Sequence, residues 1–125
     1  MVEDQARLDT TFAALADGTR RSILARLAGK EMTVGEVARP YPMSLAAVSK
    51  HLHVLSKAGL VRQQRDGRIR RCRLDPKPLI EAADWIEEAR SFWTDSFEAL
   101  AEHLKDVTRG ADPGDPQSED KENDQ

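Results

Sequence analysis

The segment 44–57, S-L-A-A-V-S-K-H-L-H-V-L-S-K, constrains the fold most, because it predicts a helix with two different faces. Its large apolar side chains recur at intervals of three and four residues, which places them on one face that can be buried. They are Leu45, Val48, Leu52 and Leu55. The opposite face is small, polar or cationic and holds Ala46, Ala47, Lys50, His53 and Lys57, with Ser49 on its flank. This face favours contact with a large anionic partner, and an ordinary amphipathic surface helix is the alternative.

Capping signals predict where this helix and the one before it begin. Ser44 is the expected N-cap and places a hydroxyl at the end where a recognition helix meets base edges. The tetrapeptide Thr33-Val34-Gly35-Glu36 matches a capping box, so a short helix is predicted from Val34. Pro40 and Pro42 end it. Two helices joined by a tight turn, the second with an exposed basic face, form a helix-turn-helix pattern.

Two further helices are predicted upstream of the turn. Apolar residues spaced i, i+4 and i+7 from Leu8 predict a first helix up to about Ala16. The break at Asp17-Gly18-Thr19 offers caps for a second helix that runs from about Thr19 to Ala28. The buried side of the second helix is predicted to hold Ile23, Leu24 and Leu27.

The segment 60–74 predicts a basic β-hairpin. Asp66-Gly67 is a strong hairpin-turn signal, and a two-residue turn there places Arg65 opposite Arg68. The same register places Gln63 opposite Arg70 and Val61 opposite Cys72. One face is then apolar at its base and cationic at its tip, where it carries Arg65, Arg68 and Arg70. An arginine-rich hairpin directly after a helix-turn-helix is typical of a wing that follows phosphates or enters a minor groove.

Charge is distributed very unevenly along the chain, although the net charge is only −3. Residues 44–73 hold eight basic residues and one acid, a balance of +7. Residues 106–125 hold seven acids and two bases, a balance of −5. A run of charge is usually a solvated face, but eight cations against one acid over two adjacent elements fit that alternative poorly. The distribution predicts double-stranded DNA as the partner.

A long last helix is predicted from Asp75-Pro76, an N-cap followed by proline, to about Lys105. Its apolar residues from Leu79 to Leu104 follow a heptad-like spacing that is interrupted at Arg90, and a second apolar stripe lies beside the first. A helix that is apolar on two adjacent faces needs more than one packing partner. A second subunit is the expected cover for one face, and the alternative is that the first helix covers both.

Composition and length bound the remaining possibilities. The 125 residues predict one domain over residues 1–107, followed by a disordered acidic tail over 108–125. No apolar run is long enough to span a membrane, and the N-terminus lacks the apolar core of a signal peptide. The single cysteine, Cys72, has no intramolecular partner and is expected to be a small buried residue. A cytoplasmic location is therefore expected.

Three segments resemble the ArsR family of winged-helix transcriptional repressors. They are F-A-A-L-A-D-G-T-R-R-S-I-L-A-R-L at 12–27, V-S-K-H-L-H-V-L-S-K-A-G-L-V at 48–61 and R-D-G-R-I-R-R-C-R-L at 65–74. The resemblance covers roughly residues 8–105. It implies a mainly α winged helix-turn-helix fold of about five helices plus a two-stranded wing. It also implies a homodimer whose outer helices pair and whose recognition helices, 44–57, enter successive major grooves.

The predicted function is a sequence-specific, DNA-binding transcriptional regulator, a homodimeric repressor of an inverted-repeat operator. Its predicted DNA-binding residues are Ser44, Ala46, Ala47, Ser49, Lys50, His53, Arg65, Arg68 and Arg70. Its predicted dimer interface comprises Leu8, Phe12, Trp85, Phe92, Trp93, Phe97 and Leu100. A winged-helix protein-interaction module without sequence-specific DNA binding is the alternative. An enzyme is not expected, since the sequence has no nucleophile–base pairing, phosphate loop or metal-ligand cluster.

No metal site and no cofactor are predicted. The resemblance implies that metal-sensing members carry a cysteine pair before the turn or Asp and His pairs on the last helix. Here segment 33–38 has no soft ligand, and the last helix has a single histidine, His103. The segment S-F-W-T-D-S-F at 91–97 is most similar to members without metal sites. An unidentified small-molecule effector stays open.

We expect operator binding to be insensitive to zinc, nickel, cadmium and arsenite at low micromolar concentrations. No three of the cysteine and histidine side chains fall at ligand spacing on any predicted element. Operator affinity, measured with and without each ion after chelator treatment, checks this expectation. A loss of tenfold or more, about 1.4 kcal/mol of coupling, would reveal a metal site around His103.

Overall fold

The computed structural model describes residues 2–110, and within them the side chains of residues 4–108. The elements are α1 (Val2–Leu15), α2 (Gly18–Leu27), β1 (Met32–Thr33), α3 (Val34–Ala38), α4 (Leu45–Lys57), β2 (Val61–Asp66), β3 (Ile69–Leu74) and α5 (Lys77–Gly110). This order confirms the predicted winged helix-turn-helix fold. The chain divides into two compact units, Met1–Trp85 and Ile86–Gln125. From residue 111 onward, the predicted disordered tail lies outside the described residues.

Side-chain caps fix the starts of the two helices around the turn, as predicted. The Ala47 N–H donates to the Ser44 hydroxyl at 3.1 Å, so Ser44 is the N-cap of α4. The capping box of α3 is complete, because the Glu36 N–H donates to the Thr33 hydroxyl and the Thr33 N–H donates to the Glu36 carboxylate. Gly59 follows the end of α4 with a φ of +76°, a left-handed conformation that favours glycine.

The core is built around one side of α4. Val48, Leu52 and Leu55 are buried there, in one cluster with side chains from α1, α2, α3, β2 and β3, and Met32 of β1 and Leu79 of α5 pack against this cluster. The prediction for Leu45 was wrong, since 58% of this residue is exposed. Leu45 is the first residue of α4 and lies one turn beyond Val48, where no element covers it. The spacing of apolar residues along the sequence predicts which face of a helix is buried, but it does not predict at which residue the surrounding core ends.

The sheet has three strands in the order β1-β3-β2, so the prediction of a two-stranded wing missed β1. β1 pairs antiparallel with β3, with Met32 opposite Cys72 and Thr33 opposite Arg71. Two residues are too few for an alternating pattern to be visible in the sequence. Because Thr33 also caps α3, this short strand attaches the wing directly to the helix-turn-helix.

The hairpin turn lies one residue later than predicted. Asp66 pairs with Ile69, so Gly67 and Arg68 form the two-residue loop, and Arg65 lies opposite Arg70 instead of Arg68. Only Gly67 has a positive φ, +68°, whereas the predicted Asp-Gly turn of type I′ needs a positive φ at both central residues. The shift moves cross-strand pairing by two residues, which leaves every strand residue on its predicted face.

The last helix, α5, begins as predicted and ends later. The Lys77 N–H donates to the Asp75 carboxylate at 3.1 Å, and the helix continues to Gly110 rather than ending near Lys105. No helix in the described part of the chain is long and apolar enough to cross a membrane.

Two leucines of α4 provide a matched test of this core. Leu52 is 1% exposed, so Leu52→Ala leaves a cavity and should lower the free energy of unfolding by about 2–5 kcal/mol. Leu45→Ala, at the exposed end of the same helix, should change it by less than about 0.5 kcal/mol. Urea denaturation measures both values, and equal losses would contradict the position of α4.

Candidate nucleic-acid interface

The predicted DNA-facing side of α4 is accessible in the structure. Lys50 and His53 are exposed one turn apart on the same side of the helix, and no ion pair engages Lys50 among the described side chains. Ala46 is exposed, whereas Ala47 and Ser49 are half-buried. The Ser44 oxygen already accepts the Ala47 N–H, which leaves its hydroxyl proton to donate to an outside acceptor.

Arg26 on α2 holds the turn between α3 and α4. Its guanidinium donates to the carbonyls of Val37 at 2.8 Å and Glu36 at 2.9 Å, in the last turn of α3. It also lies 5.3 Å from the centre of the Tyr41 ring, in the loop before α4. The Tyr41 hydroxyl is 2.7 Å from the Ser22 hydroxyl on α2. These contacts attach both ends of the loop to the same face of α2.

Arg20 connects the first two helices to the back of α4. Its guanidinium donates to the carbonyls of Ala14 at 2.7 Å and Ala13 at 3.1 Å, at the end of α1. The same group lies 3.3 Å from Nδ1 of His51 on α4. His51 is half-buried and therefore has a packing position behind the exposed face of α4.

Three carboxylates are fixed at helix starts, and each has a lowered pKa. The backbone N–H of Arg20 lowers the pKa of Asp17, and the backbone N–H of Thr33 lowers that of Glu36. The Lys77 N–H, followed by the Arg62 guanidinium, lowers the pKa of Asp75. These acids stay ionised at neutral pH. Each accepts a backbone hydrogen bond at the start of a helix and lies outside the basic face.

The tip of the wing presents three arginines that are free of ion pairs in the described part of the chain. Arg65 and Arg70 lie opposite each other on β2 and β3, and Arg68 is exposed in the turn. Within residues 4–108, none of the three forms an ion pair. The Gln63 side chain donates to the Ser56 hydroxyl at 2.9 Å, which connects the wing to the end of α4. The wing and α4 are therefore held in one fixed arrangement within the first unit.

Two arginines that were not in the predicted DNA-binding set extend this basic surface. Arg71 and Arg73 are exposed on the other face of the hairpin and form no ion pair among the described residues. The sequence shows that Arg71 and Arg73 alternate with Arg70 and Cys72 along the strand. It does not show which face of the hairpin is buried in the folded protein. The capping roles of Arg20 and Arg26 were also missed, because the carbonyls they bind lie six to eleven residues away.

The predicted dimer-interface residues fall into two groups. In the first unit, the half-buried Phe12 ring packs edge-to-face on Trp85 at 5.9 Å, and Leu8 is half-buried one turn earlier on α1. In the second unit, Phe92, Trp93 and Phe97 form an aromatic row with ring centres 5.7 and 6.1 Å apart. These three residues and Leu100 are exposed. A row of exposed aromatic side chains of this size is typical of an interaction surface.

Soft metal ligands are not gathered anywhere in the described part of the chain. No group of three or more His, Cys, Asp or Glu side chains there could hold a metal ion. Cys72 is buried at the base of the wing, as predicted, and burial raises the pKa of its thiol.

Comparison with known proteins places this geometry among transcriptional regulators. Residues 15–64 match the family model of a helix-turn-helix domain. The HTH-type transcriptional regulator Rv2034 of Mycobacterium tuberculosis is 43% identical over 94 residues, which cover 75% of this chain and 85% of that protein. The transcriptional repressor SdpR of Bacillus subtilis is 32% identical over 79 residues, which cover 63% of this chain and 88% of that protein.

Solved structures give the same result. The crystal structure of the ArsR family transcriptional regulator RHA00566 matches with a TM-score of 0.69 and 37% identity, over 72% of this chain and 93% of that one. The homodimeric winged helix-turn-helix DNA-binding domain Mb0332 of Mycobacterium bovis matches with a TM-score of 0.52 and 28% identity. That match covers 78% of this chain and 85% of that one.

We expect Arg26→Ala to weaken DNA binding without removing a DNA contact. Loss of the two carbonyl contacts should lower the free energy of unfolding by roughly 1.5–3 kcal/mol, because hydrogen bonds to charged groups are strong. Arg26→Lys should not restore it, since an ammonium group lacks the planar fork that binds two carbonyls. Urea denaturation and operator affinity measure the two effects, and full stability of Arg26→Lys would contradict the role of the fork.

Proposed function

Because the chain belongs to the ArsR family of winged helix-turn-helix transcriptional regulators, it is a DNA-binding regulator and not an enzyme, and we propose that it is a homodimeric repressor of an inverted-repeat operator. The observation that supports this proposal most directly is the continuous basic surface of α4 and the wing. Lys50 and the wing arginines Arg65, Arg68 and Arg70 form no ion pair among the described side chains, and a polyanion is a partner that can compensate them.

The first step of the proposal places α4 in the major groove. Small side chains such as Ala46 and Ala47 allow the helix to approach the groove floor, and Lys50 and His53 can donate hydrogen bonds to base edges. Ser44 adds its free hydroxyl proton at the N-terminal end, where a recognition helix contacts bases. Sequence preference would come from this helix.

The second step assigns the wing to the sugar-phosphate backbone or the minor groove. Arg65, Arg68 and Arg70 lie at its tip, and a guanidinium can bind phosphate through two hydrogen bonds. Contacts of this kind position a protein on DNA without reading sequence. They would also make the affinity strongly dependent on salt concentration.

The third step is a dimer formed by the outer helices. The exposed aromatic row of α5 supplies an apolar surface, and the similar M. bovis domain is a homodimer. A two-fold symmetric dimer requires a symmetric site, so two half-sites should lie about one helical turn apart, ~34 Å. The similar B. subtilis protein is a transcriptional repressor, which supports repression rather than activation.

A gel shift with salt titration tests the proposal against the protein-interaction alternative. The probes are the DNA upstream of the protein's own gene and a scrambled duplex of equal length. Preferential binding to the upstream DNA, with a steep loss of affinity as salt rises, supports the repressor. Equal, weak binding to both duplexes would favour the interaction module.

Lys50→Ala and Arg68→Ala should separate base reading from phosphate binding. Lys50→Ala should cost about 1–3 kcal/mol and relax sequence preference, because it removes a base-edge donor. Arg68→Ala should weaken binding to all sequences and reduce the salt slope by about one, since it removes one phosphate contact. Affinities over a salt series check both, and an unchanged preference in Lys50→Ala would mean that the helix is misassigned.

Trp93→Glu should convert the dimer into monomers with much weaker operator binding. The substitution places a charge in the middle of the aromatic row, where dimer contact would bury it. Asp95→Lys is the control, because Asp95 is exposed two residues from Trp93, on a different face of the same helix, and its charge reversal should leave the dimer intact. Sedimentation at micromolar concentration distinguishes the two, and a wild-type monomer with full operator affinity would refute the dimer.

A further inference from the structure

Leu45 is an apolar side chain in an unexpected position on the basic surface. It is the first residue of α4 and is 58% exposed, whereas Val48 and Leu52, which follow on the same face, are buried. Leu45 lines a groove of about 470 Å³ between the start of α3, the start of α4 and the tip of the wing. Ile69 of the wing, 46% exposed, lines the same groove.

The charged residues around this groove restrict what it can bind. Its rim is formed by Arg65, Arg68 and Arg70, which have no acidic partners among the described side chains. A single exposed leucine is ordinary on a protein surface. Two large aliphatic side chains in a groove that three arginines also line instead match a partner that offers both apolar and anionic groups.

DNA has one such apolar group in its major groove. Each base pair presents hydrogen-bond donors and acceptors there, and thymine alone adds a C5 methyl group. The N-terminal residues of a recognition helix are those that contact base edges. Leu45 occupies that end of α4, one turn before Ser49 on the same face, and the N-cap at Ser44 fixes its backbone.

We propose that Leu45 reads a thymine in each operator half-site by contact with its C5 methyl group. This inference rests on the proposed function, because it requires α4 to lie in the major groove. The arginines on the rim of the groove bind the phosphates beside that thymine and hold the methyl group against Leu45. Specificity at this position then comes from an apolar contact, whereas Lys50 and His53 read other positions by hydrogen bonds.

The test uses operator duplexes selected from a random pool by the full chain. Each thymine is replaced in turn by deoxyuridine, which removes only the methyl group and keeps the hydrogen-bonding groups. The wild-type chain should bind about fourfold more weakly when one particular thymine of a half-site is replaced, the ratio expected for one buried methyl group. Leu45→Ala should bind the thymine duplex about fourfold more weakly and show no difference between the two duplexes.

Two further variants serve as controls. Leu45→Met keeps an apolar side chain and should retain the fourfold difference. Val54→Ala removes an apolar group that is 37% exposed on the other side of α4, and it should also retain the difference. Thermal unfolding of Leu45→Ala should match that of the wild type, which separates the lost contact from misfolding.

Two results would overturn the inference while leaving the proposed function in place. One is an operator in which no thymine methyl group affects affinity. The other is a methyl effect of equal size in Leu45→Ala. A chain that selects no sequence from the pool would overturn the proposed function, and this inference with it.

Discussion

The geometry of the helix-turn-helix depends on the Arg26 guanidinium more than on any other single side chain. Helix α3 has only five residues, too few to be stable by its own hydrogen bonds, and at its end the Arg39 N–H is shared between the Gly35 and Glu36 carbonyls. Arg26 adds donors to the Val37 and Glu36 carbonyls and places a positive charge at the negative end of α3. Its contact with Tyr41, together with the hydroxyl contact of Tyr41 to Ser22, holds the following loop. The direction in which α4 leaves the turn is thereby set by α2.

The wing carries an electrostatic cost when no partner is bound. Arg65 lies directly opposite Arg70, and Arg62 directly opposite Arg73, and like charges at opposing positions destabilise a hairpin. Asp75 offsets the second pair through its 2.9 Å contact with Arg62. No acid offsets the first pair in the described part of the chain. Phosphates placed between Arg65 and Arg70 would turn this repulsion into attraction, so bound DNA should stabilise the wing as well as be held by it.

The sequence predicted the features that depend on neighbouring residues and missed those that depend on distant ones. The Thr33–Glu36 capping box and the Ser44 N-cap are encoded within a few residues, and both are confirmed. The strand β1 and the arginine contacts to α1 and α3 join elements that are separate in the chain. The exposure of Leu45 depends on where the core ends, and helical periodicity does not predict that position. The turn at Gly67-Arg68 was missed because Gly67 can be the second residue of one two-residue turn or the first residue of another, and only the latter spares Asp66 a positive φ.

In the proposed complex, stability and recognition are divided between the two sides of α4, with one exception. Val48, Leu52 and Leu55 hold the helix in the core, whereas Lys50 and His53 make few contacts within the protein and can change without loss of the fold. Ser44 belongs to both sides, because its oxygen caps the helix while its proton is free to bind DNA. Aspartate would preserve the cap, but it would bring a negative charge to the phosphates. Alanine would remove both roles. A change of operator preference at Ser44 would therefore also cost stability.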